Sequence, residues 1–433
     1  MIPRLAVVGA GAKAVAVAAK AAALRELGLP APEVVAVERT EVAANWQPDG
    51  GWTDGLHRLG TNPEKDVGFP YRSTLARGRN AELDRAMTRF SWQAYLIATN
   101  QFADWIDRGR PAPTHRRWAQ YLQWVADAVG MSVIQGEVDR ISLDGNHWVL
   151  GAGQSEILAD ALMVTGPGQA ERSILPESPQ VWSIAEFWRH AAAHDRIVAE
   201  RIAVIGGGET AASILEELFR HRASAITVIA PQVTLFTRGE SFFENRLFSD
   251  PTDWDTLPLA ERLGALARTD RGVFSGRVQE ALLADDRIRH LRGRVAHAIS
   301  RDGRIRLTLR YARGGEQLET VHGFDLVVDG SGADPLWFLE LFSQDARDLV
   351  ELGLGGPLTA ERLEGAIGHD LAVDGIAPKL FLPTLSGPTQ GPGFPNLSCL
   401  GLLSDRVLGA QLPISDNLSD NPRRNFREHQ PVR

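Results

Sequence analysis

The residues whose spacing most directly implies chemistry sit in two glycine turns, each set between a buried strand and a helix. The first is Gly9-Ala10-Gly11-Ala12-Lys13-Ala14, which follows the apolar run Leu5-Ala6-Val7-Val8 and leads into an alanine-rich stretch to about Leu27. In a G-x-G-x-x-G/A turn the first glycine allows the tight bend. The second lets the backbone approach a pyrophosphate on the helix N-terminus, and the third small residue packs helix on strand. Gly9, Gly11 and Ala14 fill those places. An isolated match is weak, because such turns also occur without ligands, but Glu38 ends the next strand and supplies an acceptor for ribose hydroxyls.

The second turn, Gly206-Gly207-Gly208-Glu209-Thr210-Ala211, follows the strand Arg201–Ile205 and precedes a helix to about His221 and a strand Ile226–Ala230. Gly206, Gly208 and Ala211 repeat the pattern. This time the second strand ends at Ala230-Pro231 with no carboxylate, and Arg238 lies a few residues on. A carboxylate repels a 2′-phosphate and an arginine pairs with it, so this site is expected to prefer NADPH over NADH and the first to take FAD. The alternative for Arg238 is that it is one of many solvated arginines. A protein binding both dinucleotides is a reductase or a monooxygenase. One cysteine, Cys399, excludes the paired thiols of a disulfide reductase. In a flavin monooxygenase the reduced flavin and dioxygen supply the oxidant, so no catalytic side chain is required.

The elements that position these turns predict an α/β protein with two dinucleotide-binding, Rossmann-like domains. Further apolar strands ending in glycine turns, Ala161–Gly166 and Leu326–Gly332, mark the crossings between them. The residues after 336 are too few for a third nucleotide fold and are expected to return to the first. The expected layout is FAD domain 1–195, inserted NADPH domain 196–335, and the second part of the FAD domain 336–433. The helical stretch from Ser91 to Gly130 carries Trp92, Trp105, Trp118 and Trp124, read as core packing. The polar tail after Asp416 has little to bury and is expected to be disordered.

Composition removes other classes. A net charge of −8 without a long basic run argues against nucleic acid or an anionic membrane surface. No apolar stretch reaches membrane-spanning length, and the single cysteine fits a cytoplasmic protein. His190 and His194 stand at i, i+4 without further ligands and read as helix surface rather than a metal site. The oligomeric state is open, a homo-oligomer included.

Longer stretches carry a family likeness: Ala44-Asn45-Trp46-Gln47, Gly50-Gly51-Trp52-Thr53-Asp54-Gly55, and Asn62-Pro63-Glu64-Lys65-Asp66-Val67-Gly68-Phe69-Pro70-Tyr71. Over nearly its whole length the chain resembles the flavin-dependent N-hydroxylating monooxygenases of siderophore pathways. It is most similar to the lysine enzymes of mycobactin- and nocobactin-type assembly. The resemblance implies that NADPH reduces FAD, that dioxygen adds to the reduced flavin, and that the side-chain amine of L-lysine attacks the hydroperoxide. It further implies that Lys65 contacts the substrate carboxylate, that Asn245 in Phe243–Phe248 holds the amino acid, and that Ser398 in Asn396-Leu397-Ser398 lines the amine. Trp46 and Asp270 enter as cofactor-binding candidates. The chain departs from many relatives at Gln47, at Thr269-Asp270-Arg271 and at Gly391–Phe394; the second lies near the position that orders the nicotinamide half of NADP⁺. Ornithine, a ketone or sulfide substrate, and a non-catalytic redox sensor are the competing readings, and Lys65 as a solvated surface lysine is the bland one.

Overall fold

The computed structural model describes residues 2–166, 168, 175–193 and 196–412. The polar tail beyond Asp416 and His194 of the His190/His194 pair lie outside the described residues.

The chain opens with β1 (Arg4–Val8), α1 (Ala12–Glu26) and β2 (Glu33–Glu38), followed by α2 (His115–Val129), β3 (Ser132–Gln135) and β4 (Ala161–Val164). These strands form a parallel sheet in the order β4-β1-β2-β3. Val8 pairs with Val37 on one side and Val164 on the other, so the carboxyl ends line up where the first glycine turn begins. The strands are apolar along their length because helices cover one face and an antiparallel three-stranded layer (140–159) the other. Trp92, Trp105 and Trp118 are buried in this core and Trp124 is partly buried.

The second unit contains β5 (Val181–Trp182), α3 (Ile184–Ala192), β6 (Val198–Ile205), α4 (Glu209–Leu218), β7 (Arg222–Ala230), α5 (Phe242–Ser249), α6 (Leu259–Thr269), β8 (Ile288–Arg292) and β9 (Leu326–Asp329). Its parallel sheet runs β8-β7-β6-β9-β5. An antiparallel meander, 294–324, closes one face by burying Ile305, Leu307, Leu309 and Phe324 against Ala203, Ile205, Ile229 and Val327. The expected boundary at 195/196 is corrected here, because β5 and α3 already belong to this unit. Ser183 and Glu186 form a capping box that starts α3, and its stripe Ile184, Phe187, Trp188 and Ala191 enters the second core. A two-residue strand carries no periodicity from which the earlier start can be read.

The chain then returns to the first unit. β10 (Lys379–Phe381) pairs with β4, and α7 (Leu400–Gly409) lies against α1. A buried ion pair fastens that return. Lys20 of α1 donates to Asp405 Oδ1 (2.6 Å), Ser73 Oγ (2.9 Å) and the Gly401 carbonyl (2.8 Å), while Asp405 Oδ2 accepts from the Thr74 amide (2.8 Å). No helix among the described residues is long and apolar enough to cross a membrane.

The two units also meet through a charged contact. The loop carrying Asp54 and His57 is tied to the start of α2, where the amides of His115 and Arg116 donate to the carbonyls of His57 (2.8 Å) and Gly55 (3.0 Å). His57 reaches across to α4, with Nε2 3.2 Å from Glu217 Oε2 and Nδ1 3.4 Å from Glu216 Oε2, and its ring meets Trp188 of α3 edge-on at 4.9 Å. Burial by itself would depress the imidazole pKa. The hydrogen bonds to Glu216 and Glu217 and the charges of Asp54 and Glu216 outweigh it and raise the pKa to about 9. Arg220 pairs with Glu217 (2.8 Å) and Asp54 (3.6 Å), Arg277 with Glu216, and His221 with Glu217 (3.2 Å).

Two outcomes follow. Lys20→Ala leaves Asp405 buried without its cation and should cost about 3–5 kcal/mol in urea unfolding of the first unit; a loss under about 1 kcal/mol would refute the role assigned to the pair. The His57 contribution has a defined sign, since the folded pKa of about 9 lies above the unfolded value near 6.5. It is complete below about pH 6.5 and is lost as pH rises through about 9. The stability gap between the unsubstituted protein and His57→Gln, on the order of 3 kcal/mol at pH 6, should therefore shrink by pH 10; a constant gap counts against an imidazolium.

Candidate active site

At the first turn Gly9 adopts φ +89°, and a Cβ there would lie 2.9 Å from Thr165 Oγ1, so glycine is required twice over. Gly11 is the N-cap of α1 and Ala14 is fully buried beneath it. Glu38 holds the turn from the neighbouring strand, accepting from the amides of Ala10 (2.9 Å) and Thr40 (3.0 Å). Trp46 lies edge-on to His115 at 4.8 Å, and its buried Nε1 has no partner. A glycine cradle at a helix N-terminus, a strand-end carboxylate and an unspent donor nearby fit the pyrophosphate, ribose and polar edge of a dinucleotide.

The second turn repeats the geometry with Gly206 at φ +130°, where a Cβ would meet the Gly330 carbonyl at 2.4 Å. Gly208 is the N-cap of α4 and Ala211 is buried. The side chain of Gln232 rests against Gly207, and its Oε1 is buried without a partner. The turn fits a second dinucleotide by the same test.

The substrate candidates converge in part. Lys65 Nζ donates to Ser398 Oγ at 3.5 Å and lies 5.9 Å from the ring centroids of both Phe69 and Phe248. Burial, and then the charge of Arg238, lower its pKa. Its loop is fixed by Asp66, which accepts from the Gly68 amide (3.1 Å), the Tyr71 hydroxyl (2.8 Å) and the Trp92 amide that starts the next helix (2.9 Å). Burial lifts the Asp66 pKa to about 6 against those donors. Lys65 and Ser398, expected at the carboxylate and at the amine, stand side by side. Asn245 is brought less far. It is exposed on α5, one turn before Phe248, and donates to the Glu240 carbonyl at 2.7 Å.

Two cofactor candidates lie at the seam between the units. Arg238 donates to Glu240 (2.7 Å) and to the Gly60 carbonyl of the first unit (3.2 Å), and its charge acts on Lys65 and Asp270. It therefore belongs to the seam between the units. Asp270, at the C-cap of α6, accepts from Asn396 Nδ2 at 2.8 Å; burial raises its pKa. It thus ties the inserted unit to the segment that bears Ser398.

Sequence reasoning missed Lys13. It lies inside the first glycine turn and donates to the Pro395 carbonyl at 2.7 Å, and burial lowers its pKa to about 8. Its place inside the motif, in a chain with only four lysines, was the available signal. The His57 cluster was also missed, and no signal was available, because its partners lie 160 residues away. Asp54, His57 and Glu217 can each offer one ligand atom within 4.8 Å of the others, but Arg220 already pairs with both carboxylates.

Comparison with known proteins places this geometry. The chain is 71% identical over 433 residues, all of both chains, to the L-lysine N6-monooxygenase MbtG of Mycobacterium sp. (strain MCS), and equally to that of Mycobacterium tuberculosis. Its fold matches the lysine monooxygenase NbtG of Nocardia farcinica with a TM-score of 0.85 and 52% identity, covering 94% of this chain and 100% of that one. The ornithine N-hydroxylase KtzI of Kutzneria sp. 744 shares the fold at a TM-score of 0.70 and 17% identity, over 95% of this chain and 99% of that one. Residues 83–328 match the family described as L-lysine 6-monooxygenase/L-ornithine 5-monooxygenase, and with the full-length identity to its members the chain belongs to that family.

Proposed function

We propose that the protein hydroxylates the side-chain amine of free L-lysine, using FAD, NADPH and dioxygen, as a step toward a hydroxamate iron-chelating siderophore. The observation that carries this reading is the setting of Lys65. One ammonium, walled by Phe69 and Phe248 and bonded to Ser398, joins the first unit, the inserted unit and the C-terminal segment. A cation so placed suits the carboxylate of a free amino acid and has no purpose for a ketone or sulfide. The full-length relatives named as lysine monooxygenases favour lysine over ornithine.

Gly9, Gly11, Ala14, Glu38 and Trp46 would hold FAD, and Gly206, Gly208 and Ala211 the pyrophosphate of NADPH. Bound FAD, reduced by NADPH, supplies the chemistry that activates dioxygen. The chain's own residues bind and orient. Lys65 takes the carboxylate with Ser398 beside it, and Asn245 adds a hydrogen bond to the amino-acid end once α5 approaches. Asp66 keeps the Lys65 loop in place. The cytoplasm, which supplies NADPH and free lysine, is the compartment this reading requires.

Mass analysis of products from free lysine and free ornithine tests the substrate, and hydroxyornithine as the main product would sink the reading. In Lys65→Ala, hydroxylation should fall by about 2–5 kcal/mol in kcat/KM, on the order of 30-fold or more, while FAD stays bound and NADPH is still oxidised. Hydroxylysine formed at the normal rate and normal lysine concentration would show that the carboxylate is held elsewhere.

A further inference from the structure

Lys13 is the second residue of α1, just after the N-cap Gly11, and the first turn of that helix carries no acidic residue. The helix dipole presents positive charge at this end, so a lysine here is opposed both by its own helix and by desolvation. Among the described residues its ammonium makes one hydrogen bond, to the Pro395 carbonyl at 2.7 Å, which uses one of three donors. A neutral side chain could make the same bond, and the Lys20–Asp405 pair already fastens α1 to the C-terminal segment. Burial is the whole cause of the lowered Lys13 pKa, and no charged or titratable side chain among the described residues contributes to it. The side chain is enclosed by protein yet keeps part of its surface open, as a group lining a recess does. The positive charge, more than the bond, is therefore what calls for a partner.

The course of the side chain indicates that partner. Its backbone lies in the turn that fits the FAD pyrophosphate, and its tip rests on Pro395, three residues before Ser398, whose hydroxyl meets Lys65. A redox-active ring must reach from the pyrophosphate at Gly11 toward the substrate at Lys65, and Lys13 spans the same two places. NADPH delivers two electrons and one proton to that ring and leaves as NADP⁺, so one negative charge accumulates there. We propose that Lys13 turns its ammonium toward the redox-active ring of FAD and stabilises the reduced cofactor over the oxidised one. Charge held beside the ring is one of the means by which a protein sets how readily a flavin is reduced. The inference rests on FAD occupying the first glycine turn.

Anaerobic equilibration of the bound flavin with a reference dye would compare the unsubstituted protein with Lys13→Met and Lys13→Arg, each loaded with FAD. Lys13→Met should favour the reduced form about tenfold less, the lower end of what an opposite charge does to an ionisation; for a two-electron couple that is a midpoint about 30 mV lower. Lys13→Arg keeps the charge and should recover most of the difference. A midpoint unchanged in Lys13→Met, or lowered equally in Lys13→Arg, would overturn the inference and leave Lys13 as a tie to Pro395. Should Lys13→Met not retain FAD, the unsubstituted protein decides. Its midpoint should fall more steeply with pH where Lys13 titrates, near pH 8, because the cation gains a proton as the negative charge arrives. A slope of one proton per two electrons throughout would also overturn it. An unsubstituted protein that does not hold FAD would instead sink the cofactor reading beneath it.

Discussion

The Lys65 amine lies in a seam that excludes much of its water, and the elements around it are arranged to hold it there. Desolvation works against Lys65, and the nearby charge of Arg238 adds to the cost. What it receives in return is modest: two aromatic faces at 5.9 Å and one hydroxyl at 3.5 Å. A cation left with unspent donors is primed for an anion, and a carboxylate repays desolvation better than these walls do. The protein maintains the position by holding the loop rather than the ammonium itself. Asp66 gathers two amides and a hydroxyl, so the turn is set before any ligand arrives.

The seam exists only while the inserted unit rests on the first, and that apposition is largely polar. His57 between Glu216 and Glu217, Arg220 on Asp54, Arg238 on the Gly60 carbonyl and Asp270 on Asn396 cross it. Contacts of this kind permit relative motion more readily than a large apolar interface does. They also differ among themselves. The His57 contact is buried and coupled to a proton, whereas Arg238 and Asn245 hold neighbours they can exchange for a ligand. The exposure of Phe242, Phe243 and Asn245 on α5 fits a unit able to approach the first more closely than it does here.

What the sequence disclosed was whatever is local. Both glycine turns, their flanking strands and the tryptophan-rich helices follow from periodicity and from positions where a Cβ cannot fit, such as Gly9 and Gly206. Lys65 and Ser398, 333 residues apart, were linked by family likeness and not by any physical pattern in the chain. Three things were hidden for identifiable reasons. The start of the second unit rests on a strand of two residues, β5, which is too short to show alternation. The roles of Arg238 and Asp270 depend on which side of a domain seam each faces, and spacing along the chain does not record that. The side-by-side placement of Lys65 and Ser398 depends on a distance, which a motif does not carry.

The charge pattern of the seam bears on the chemistry proposed. A free lysine enters with a distal amine whose ordinary pKa is near 10.4, yet only the neutral amine has a lone pair to offer. The site need not hold a dedicated base near that amine if its surroundings disfavour a further positive charge. The charge of Arg238 lowers the pKa of Lys65, and burial lowers that of Lys13, bonded to Pro395 just ahead of the Ser398 segment, to about 8. On the proposed reading Lys65 takes the carboxylate, and releasing the proton of the distal amine removes a charge that would otherwise be buried with the substrate. Partial desolvation of the bound substrate favours the neutral, reactive form of its amine, consistent with a site in which no side chain is cast as the catalytic base.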